Sequence, residues 1–209
     1  MMILALEFSS ERRSVALSRG GSVLSEAVEQ TGNRATDALG LIEKVLVDSQ
    51  VSREEVGVVA VGLGPGSYTG IRAAIAVAQG WQLAREVKLL GVGSLDALAT
   101  GAQAENIFGQ VNLIVDAQRG EFYLAEWEIS ADQRVEIRPL RIVPAAEINA
   151  RIAAGEICAG PGAARTIYPG AAWVARLAAG RQDFIPGEEL APIYLRETTF
   201  LKAPAARQI

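Results

Sequence analysis

Val58-Val59-Ala60-Val61-Gly62-Leu63-Gly64-Pro65-Gly66-Ser67-Tyr68-Thr69-Gly70-Ile71-Arg72 changes character twice within fifteen residues. Its opening belongs to an apolar, β-branched run from Val56 to Leu63, the pattern of a strand buried on both faces. Glycines and a proline then interrupt the chain. Beyond them apolar and small residues recur on every side of a helical wheel, so Thr69 to Arg85 reads as a helix. A buried strand passing through a glycine turn into a helix predicts a sheet with helices on its faces.

Upstream, Ile3 to Phe8 has the length of a buried strand, and Ser14 to Ser18 alternates polar and apolar residues. Arg19-Gly20-Gly21 is a hairpin turn leading to Val23 to Glu29, which completes a three-stranded meander. Ala38, Leu39, Ile42, Val45 and Leu46 share one face of a helix over Thr36 to Ser49. Downstream, Lys88 to Val92 is a short strand, and Ser94 has the chemistry of an N-cap for a helix ending before Gly101.

The second half follows the same plan. Val111 to Val115 ends in Asp116 as Ile3 to Leu6 ends in Glu7. Strands at Glu121 to Ile129 and Val135 to Val143 follow. Pro144 suits a first helical position, with Ala145, Ile148 and Ile152 on one face. A strand at Glu156 to Ala159 then enters Gly160-Pro161-Gly162, the counterpart of Gly64-Pro65-Gly66. The spacing between the two acids differs from that between the two glycine turns, so element order repeats rather than sequence. Two β-β-β-α-β-α units with a cleft between them are expected, as lobes 1–104 and 105–209, with the boundary inside Gly101 to Gly109.

Composition narrows the chemistry. The 209 residues contain 20 basic and 24 acidic side chains, one Cys and no His. Half are apolar and the mean hydropathy is +0.21, enough for a sizeable core. Without His there is no Ser-His-Asp or Cys-His relay, no imidazole acid or base and no His-ligated metal. Any metal would be a hard, oxygen-ligated ion such as Mg²⁺. A net charge of −4 with scattered arginines argues against autonomous nucleic-acid binding. Apolar runs fall far below the ~20 residues of a membrane span, and Met1 to Leu6 lacks the basic region of a signal peptide. A cytoplasmic protein is expected.

Three features admit two readings each. The Gly64 to Arg72 turn, with Gly64, Gly66, Ser67 and Thr69, offers helix N-terminal amides to an anion, or it is a tight turn for close packing. It matches neither the Walker A nor the Rossmann spacing. Glu7 with Ser9 and Ser10, and Asp116 opposite, would hold Mg²⁺ through water beside a phosphate, or are strand-end carboxylates with local hydrogen bonds. Helix Thr69 to Arg85 lacks a polar stripe, so it is buried in its domain or has one side against a partner chain, the reading preferred here. Cys158 and Trp127 and Trp173 read as core, and Lys202 to Ile209 as a frayed tail.

Together these segments resemble the TsaB (YeaZ-like) family of bacterial tRNA threonylcarbamoyladenosine biosynthesis proteins, non-catalytic paralogues of the TsaD/Kae family. The matching segments are Leu4 to Ser10, Gly64 to Arg72, Val115 to Tyr123 and Pro192-Ile193-Tyr194-Leu195-Arg196. Glu7 stands where the family usually has Asp, and Asn33-Arg34-Ala35 where it has Arg-His-Ser. The resemblance implies a duplicated actin-like ATPase (ASKHA, ribonuclease H-like) fold of two small α/β lobes. It implies a non-catalytic subunit that binds a TsaD-type paralogue and a TsaE-type ATPase, and that also forms a homodimer. The complex transfers threonylcarbamoyl to the adenosine next to the anticodon of tRNAs reading ANN codons. Transfer RNA is met only through the complex, and ATP or another adenine nucleotide with Mg²⁺ belongs at that level. It places the shared partner surface on helices Thr36 to Ser49 and Thr69 to Arg85, with Leu39, Ile42, Leu46, Ile71, Ala74, Ile75 and Ala78 as its expected core. The competing expectation is a stand-alone ATP/Mg-dependent phosphotransferase using Glu7, Asp116 and the Gly64 loop.

Overall fold

The computed structural model describes residues 1–31 and 36–196. Asn33-Arg34-Ala35 and the tail Lys202 to Ile209 lie outside the described residues. The first sheet is built from β1 (Met2–Glu7), β2 (Arg12–Arg19), β3 (Ser22–Gln30), β4 (Val56–Gly62) and β5 (Lys88–Val92). The second contains β6 (Gly109–Gln118), β7 (Glu121–Ile129), β8 (Arg134–Pro144) and β9 (Ile157–Ala159). The helices are α1 (Ala38–Asp48), α2 (Tyr68–Arg85), α3 (Ser94–Ala104), α4 (Ala145–Ala153) and α5 (Ala171–Ala178).

The two sheets have matching order, β3-β2-β1-β4-β5 and β8-β7-β6-β9. In each, an antiparallel meander is extended by a strand parallel to its first member. The expected repeat of element order is therefore present. At the β2–β3 turn Gly20 and Gly21 take φ of 59° and 86°, the left-handed backbone a two-residue hairpin demands.

Strand periodicity explains the layers. Met2, Leu4 and Leu6 of β1 and Val59 and Val61 of β4 point to one face, where α1 and α2 cover them. Ile3, Ala5, Val58 and Ala60 point to the other, where α5 lies with Ala171, Val174, Ala175 and Ala178. Alanines on both sides of that contact let the helix approach the sheet closely. In the second sheet Val111, Leu113 and Val115 meet α3, while Ile114 and Leu124 meet Ile148 of α4. The helices thus exchange sheets: α3, from the first half, packs on the second sheet, and α5, from the second half, packs on the first. Cys158 and Trp127 are buried as expected, whereas Trp173 is half-buried, beneath Arg176 of its own helix.

Three local expectations are corrected. Gly93, not Ser94, occupies the N-cap position of α3, because the Ser94 hydroxyl is engaged with Glu7 and the Gly64 amide. The helix runs through Gly101 to Ala104: a Cβ at Gly101 would sit 3.0 Å from Trp173 Nε1, so the glycine serves packing against α5 rather than helix termination. Pro144 closes β8 and caps α4, which starts at Ala145, and Ile152 is exposed rather than in line with buried Ile148.

Candidate functional site

Where the two halves face each other, the β1–β2 turn and the Gly66–Thr69 loop of one sheet oppose the β6–β7 hairpin and the Pro161–Gly162 loop of the other. They enclose a cleft of about 940 Å³. Each glycine loop is pressed onto backbone of its own sheet's first hairpin, Gly66 onto the turn after β1 and Gly160 onto β6 itself. A Cβ at Gly66, where φ is +152°, would lie 2.1 Å from the Ser9 carbonyl, and the Ser67 amide donates to that oxygen at 2.6 Å. A Cβ at Gly160, where φ is +150°, would lie 1.9 Å from the Ile114 carbonyl. Only glycine permits either approach. The same device appears once per half.

Of the eight expected site residues, Ser9, Ser10, Gly66, Ser67, Thr69 and Asp116 line this cleft. Glu7 and Gly64 do not. Gly64 is buried, its amide donating to Ser94 Oγ at 3.0 Å. Glu7 is fully buried: Oε1 accepts from the Ser9 amide at 2.8 Å and Oε2 from the Ser94 hydroxyl at 2.8 Å. A Cβ at Gly62 would come within 1.9 Å of Oε2, so the neighbouring strand is a glycine there to admit the carboxylate. Each oxygen has a partner within the protein and Glu7 does not line the cleft, an arrangement that suits a buried structural carboxylate better than a water-mediated Mg²⁺ holder. Asp116 has the same local partner, the amide two residues on, with Oδ1 accepting from the Gln118 amide at 2.7 Å. It remains exposed.

Burial pushes the Glu7 carboxyl above its ordinary range, against the hydrogen bonds from Ser9 and Ser94. In the unfolded chain Glu7 ionises near its ordinary value; in the folded chain it holds its proton to higher pH. Below both values the group leaves stability unchanged. As pH rises from the unfolded value through the folded one, stability is lost. Glu7→Gln is expected to flatten this decline, measured by urea unfolding at pH 5 and pH 8. A wild-type slope retained in the variant would assign the pH dependence to other groups.

Two charged residues that line the cleft outside the expected set are Arg119 and Arg196. The signal for Arg119 is conformational and so absent from residue patterns. Gln118 and Arg119 both hold left-handed backbone, with φ of 64° and 60°, unusual for residues with a Cβ. Two bonds that Gln118 donates to the Asp116 carboxylate, from its backbone amide and from Nε2, hold that shape. Arg196 Nη2 donates to the Ala117 carbonyl at 3.2 Å and to Glu121 Oε2 at 2.5 Å.

The expected partner surface needs redrawing. Ile42, Leu46, Ile71, Ala74, Ile75 and Ala78 are all within the core beneath α1 and α2, at most 6% exposed. Bringing such an isoleucine or leucine out would cost roughly 1.5–3 kcal/mol each, so these side chains hold the helices to the sheet. Of the seven, Leu39 alone is exposed, at 71%. Outward on α1 stand Leu39, Glu43 and Val47, and on α2 Ala73, Ala76, Gly80 and Leu83. Between the helices Leu39, Gly40, Trp81 and Ala84 line a groove of about 600 Å³.

Two sheets of one strand order, joined by exchanged helices across a cleft built from matching hairpins and glycine loops, define the duplicated actin-like α/β fold. Among the described residues no helix is long and apolar enough to cross a membrane. The chain belongs to the family described as TsaD, tRNA N6-adenosine threonylcarbamoyltransferase, whose model matches residues 16–180, and within it to the TsaB/YeaZ proteins. It is 35% identical to the tRNA threonylcarbamoyladenosine biosynthesis protein TsaB of Escherichia coli K12 over 128 residues, 61% of this chain and 55% of that protein. With the Bacillus subtilis TsaB it shares 30% identity over 124 residues, 59% of this chain and 53% of the relative. The matched segments thus span about half the length of these curated relatives. A Pseudomonas aeruginosa structure described as uncharacterized with similarity to the peptidase YeaZ superposes with a TM-score of 0.80 at 27% identity, covering 93% of this chain and 99% of the other. A second structure, YeaZ from the same species, gives 0.77 at 25% identity with the same coverage.

Proposed function

We propose that this chain serves tRNA threonylcarbamoyladenosine biosynthesis as a non-catalytic subunit that binds and activates a TsaD-type paralogue. The names of its relatives supply the pathway, and the outer face of α1 and α2 supports the mode of action. Gly80 carries the argument. It sits in the interior of an 18-residue helix, has ordinary helical backbone, and a Cβ there would meet nothing within 4 Å among the described residues. Glycine in a helix interior costs roughly 0.5–1 kcal/mol relative to alanine, and nothing among the described residues requires it. Close approach of another helix does. Ala73 and Ala76 continue the small-residue line, and exposed Leu39, Val47 and Leu83 flank it.

On this reading the same face serves a homodimer and the complex with the paralogue. A TsaE-type ATPase, adenine nucleotide with Mg²⁺, and tRNA join at the level of the complex, in the cytoplasm. Catalysis is left to the paralogue. The stand-alone phosphotransferase alternative is weakened by the sealed Glu7, and a peptidase by the absence of His.

Size-exclusion chromatography with light scattering, on the chain alone and mixed with the TsaD-type protein of the same genome, tests the proposal. A 1:1 complex that displaces a homodimer is expected; a chain that ignores the paralogue would overturn it. Gly80→Ala is expected to stabilise the isolated chain by about 0.5–1 kcal/mol in urea unfolding while weakening the complex. Destabilisation of the isolated chain would mean that the glycine serves its own fold.

A further inference from the structure

The segment Pro192-Ile193-Tyr194-Leu195-Arg196 plays no part in the partner reading, yet it is anchored at three points. The Ile193 amide donates to the Leu63 carbonyl at 2.9 Å, where β4 of the first sheet ends. The Tyr194 ring lies 5.9 Å from that of Tyr68, the first residue of α2, and the Arg72 guanidinium lies 4.9 Å from the Tyr68 ring on the same helix turn. Arg196 then crosses the cleft. Its guanidinium reaches both strands of the β6–β7 hairpin, the Ala117 carbonyl and the Glu121 carboxylate. That hairpin tip is the one holding Gln118 and Arg119 in left-handed backbone.

We propose that Pro192–Arg196 is an interlobe clasp that sets the width of the cleft. One end is fixed to the first sheet and α2, the other to the hairpin of the second sheet. The physical case is one of geometry. Five consecutive residues join the two walls of the cleft by a backbone hydrogen bond, an aromatic contact and a two-point guanidinium contact. Opening the cleft moves the hairpin away from the Gly66–Thr69 loop and must break the Arg196 contacts or pull Tyr194 from Tyr68. Because Tyr68 begins α2, the clasp also links cleft width to the N-terminal turn of that helix. These contacts lie within this chain, so the clasp stands or falls separately from the partner reading.

Hydrogen exchange by mass spectrometry on the full chain tests it. Arg196→Ala is expected to speed exchange about five- to tenfold at amides of the hairpin 116–122 and, across the cleft, at those of the loop 64–69. Tyr194→Ala cuts the other end and is expected to give the same pattern on both walls. The proposal is overturned if each variant changes exchange only beside its own contact, since the segment would then be two independent surface anchors. Should Arg196→Ala fail to fold, Glu121→Gln removes the charge from the guanidinium's second acceptor and is read in the same way. Unchanged exchange in Glu121→Gln and Tyr194→Ala would likewise refute the clasp.

Discussion

Gly66→Ala is expected to lower the melting temperature by roughly 10 °C, and Gly160→Ala by about as much. At each position the new methyl would lie about 2 Å from a backbone carbonyl oxygen, that of Ser9 or Ile114. A flexible side chain would swing away; these carbonyls are held, that of Ser9 by the Ser67 amide at 2.6 Å in the turn after β1 and that of Ile114 within β6. Overpacking of this kind costs about 1–3 kcal/mol, and a Cβ on left-handed backbone adds about 1–2 kcal/mol more. Gly162→Ala separates the two effects. Gly162 also has positive φ, 79°, but a Cβ there would meet nothing within 4 Å among the described residues, so only the conformational part applies. Calorimetry should therefore rank Gly162→Ala well above the other two in stability. Equal losses at all three sites would show that close approach of the loops to the strands is not what requires glycine.

Ala76→Glu is the second change of large expected effect, and it acts on association rather than folding. Ala76 is exposed on α2, where glutamate is nearly as good a helix former as alanine, so the isolated chain should keep its stability within about 0.5 kcal/mol. In a helix–helix interface an unpaired buried charge costs about 2–5 kcal/mol, which predicts a complex with the TsaD-type paralogue weaker by at least about thirtyfold in isothermal titration calorimetry. Ala74→Glu, two residues away, should instead prevent folding, because Ala74 is fully buried between α2 and the first sheet. Wild-type affinity in a folded Ala76→Glu protein would move the interface off this face. The pair distinguishes the outward residues from the inward ones first expected at the interface.

That distinction shows where local pattern stops informing. Helix Thr69 to Arg85 is apolar or small on nearly every side, so it carries little directional signal. The family resemblance places a partner surface there, with Ile71, Ala74, Ile75 and Ala78 expected in its core, when the sheet claims them. Glu7 posed a similar problem. A carboxylate at a strand end beside two serines looks like a cleft ligand, and its burial depends on Gly62 and Ser94, residues 55 and 87 positions away. Arg119 and Arg196 stayed invisible as site residues because their roles rest on backbone conformation and on contacts 75 or more positions apart in sequence.

Strand positions, the glycine hairpin at Gly20-Gly21, the two Gly-Pro-Gly turns and the repeated element order were all written in short-range terms. Alternation, β-branching and the steric freedom of glycine act between near neighbours, so the chain determines them by itself. The absence of histidine likewise settled which catalytic chemistries are closed to it. The exchange of α3 and α5 between sheets, the sealing of Glu7 and the crossing of Arg196 to the far hairpin were decided only by tertiary structure. Each depends on which surfaces, remote in sequence, can bury apolar area against one another while pairing most of the polar groups they cover.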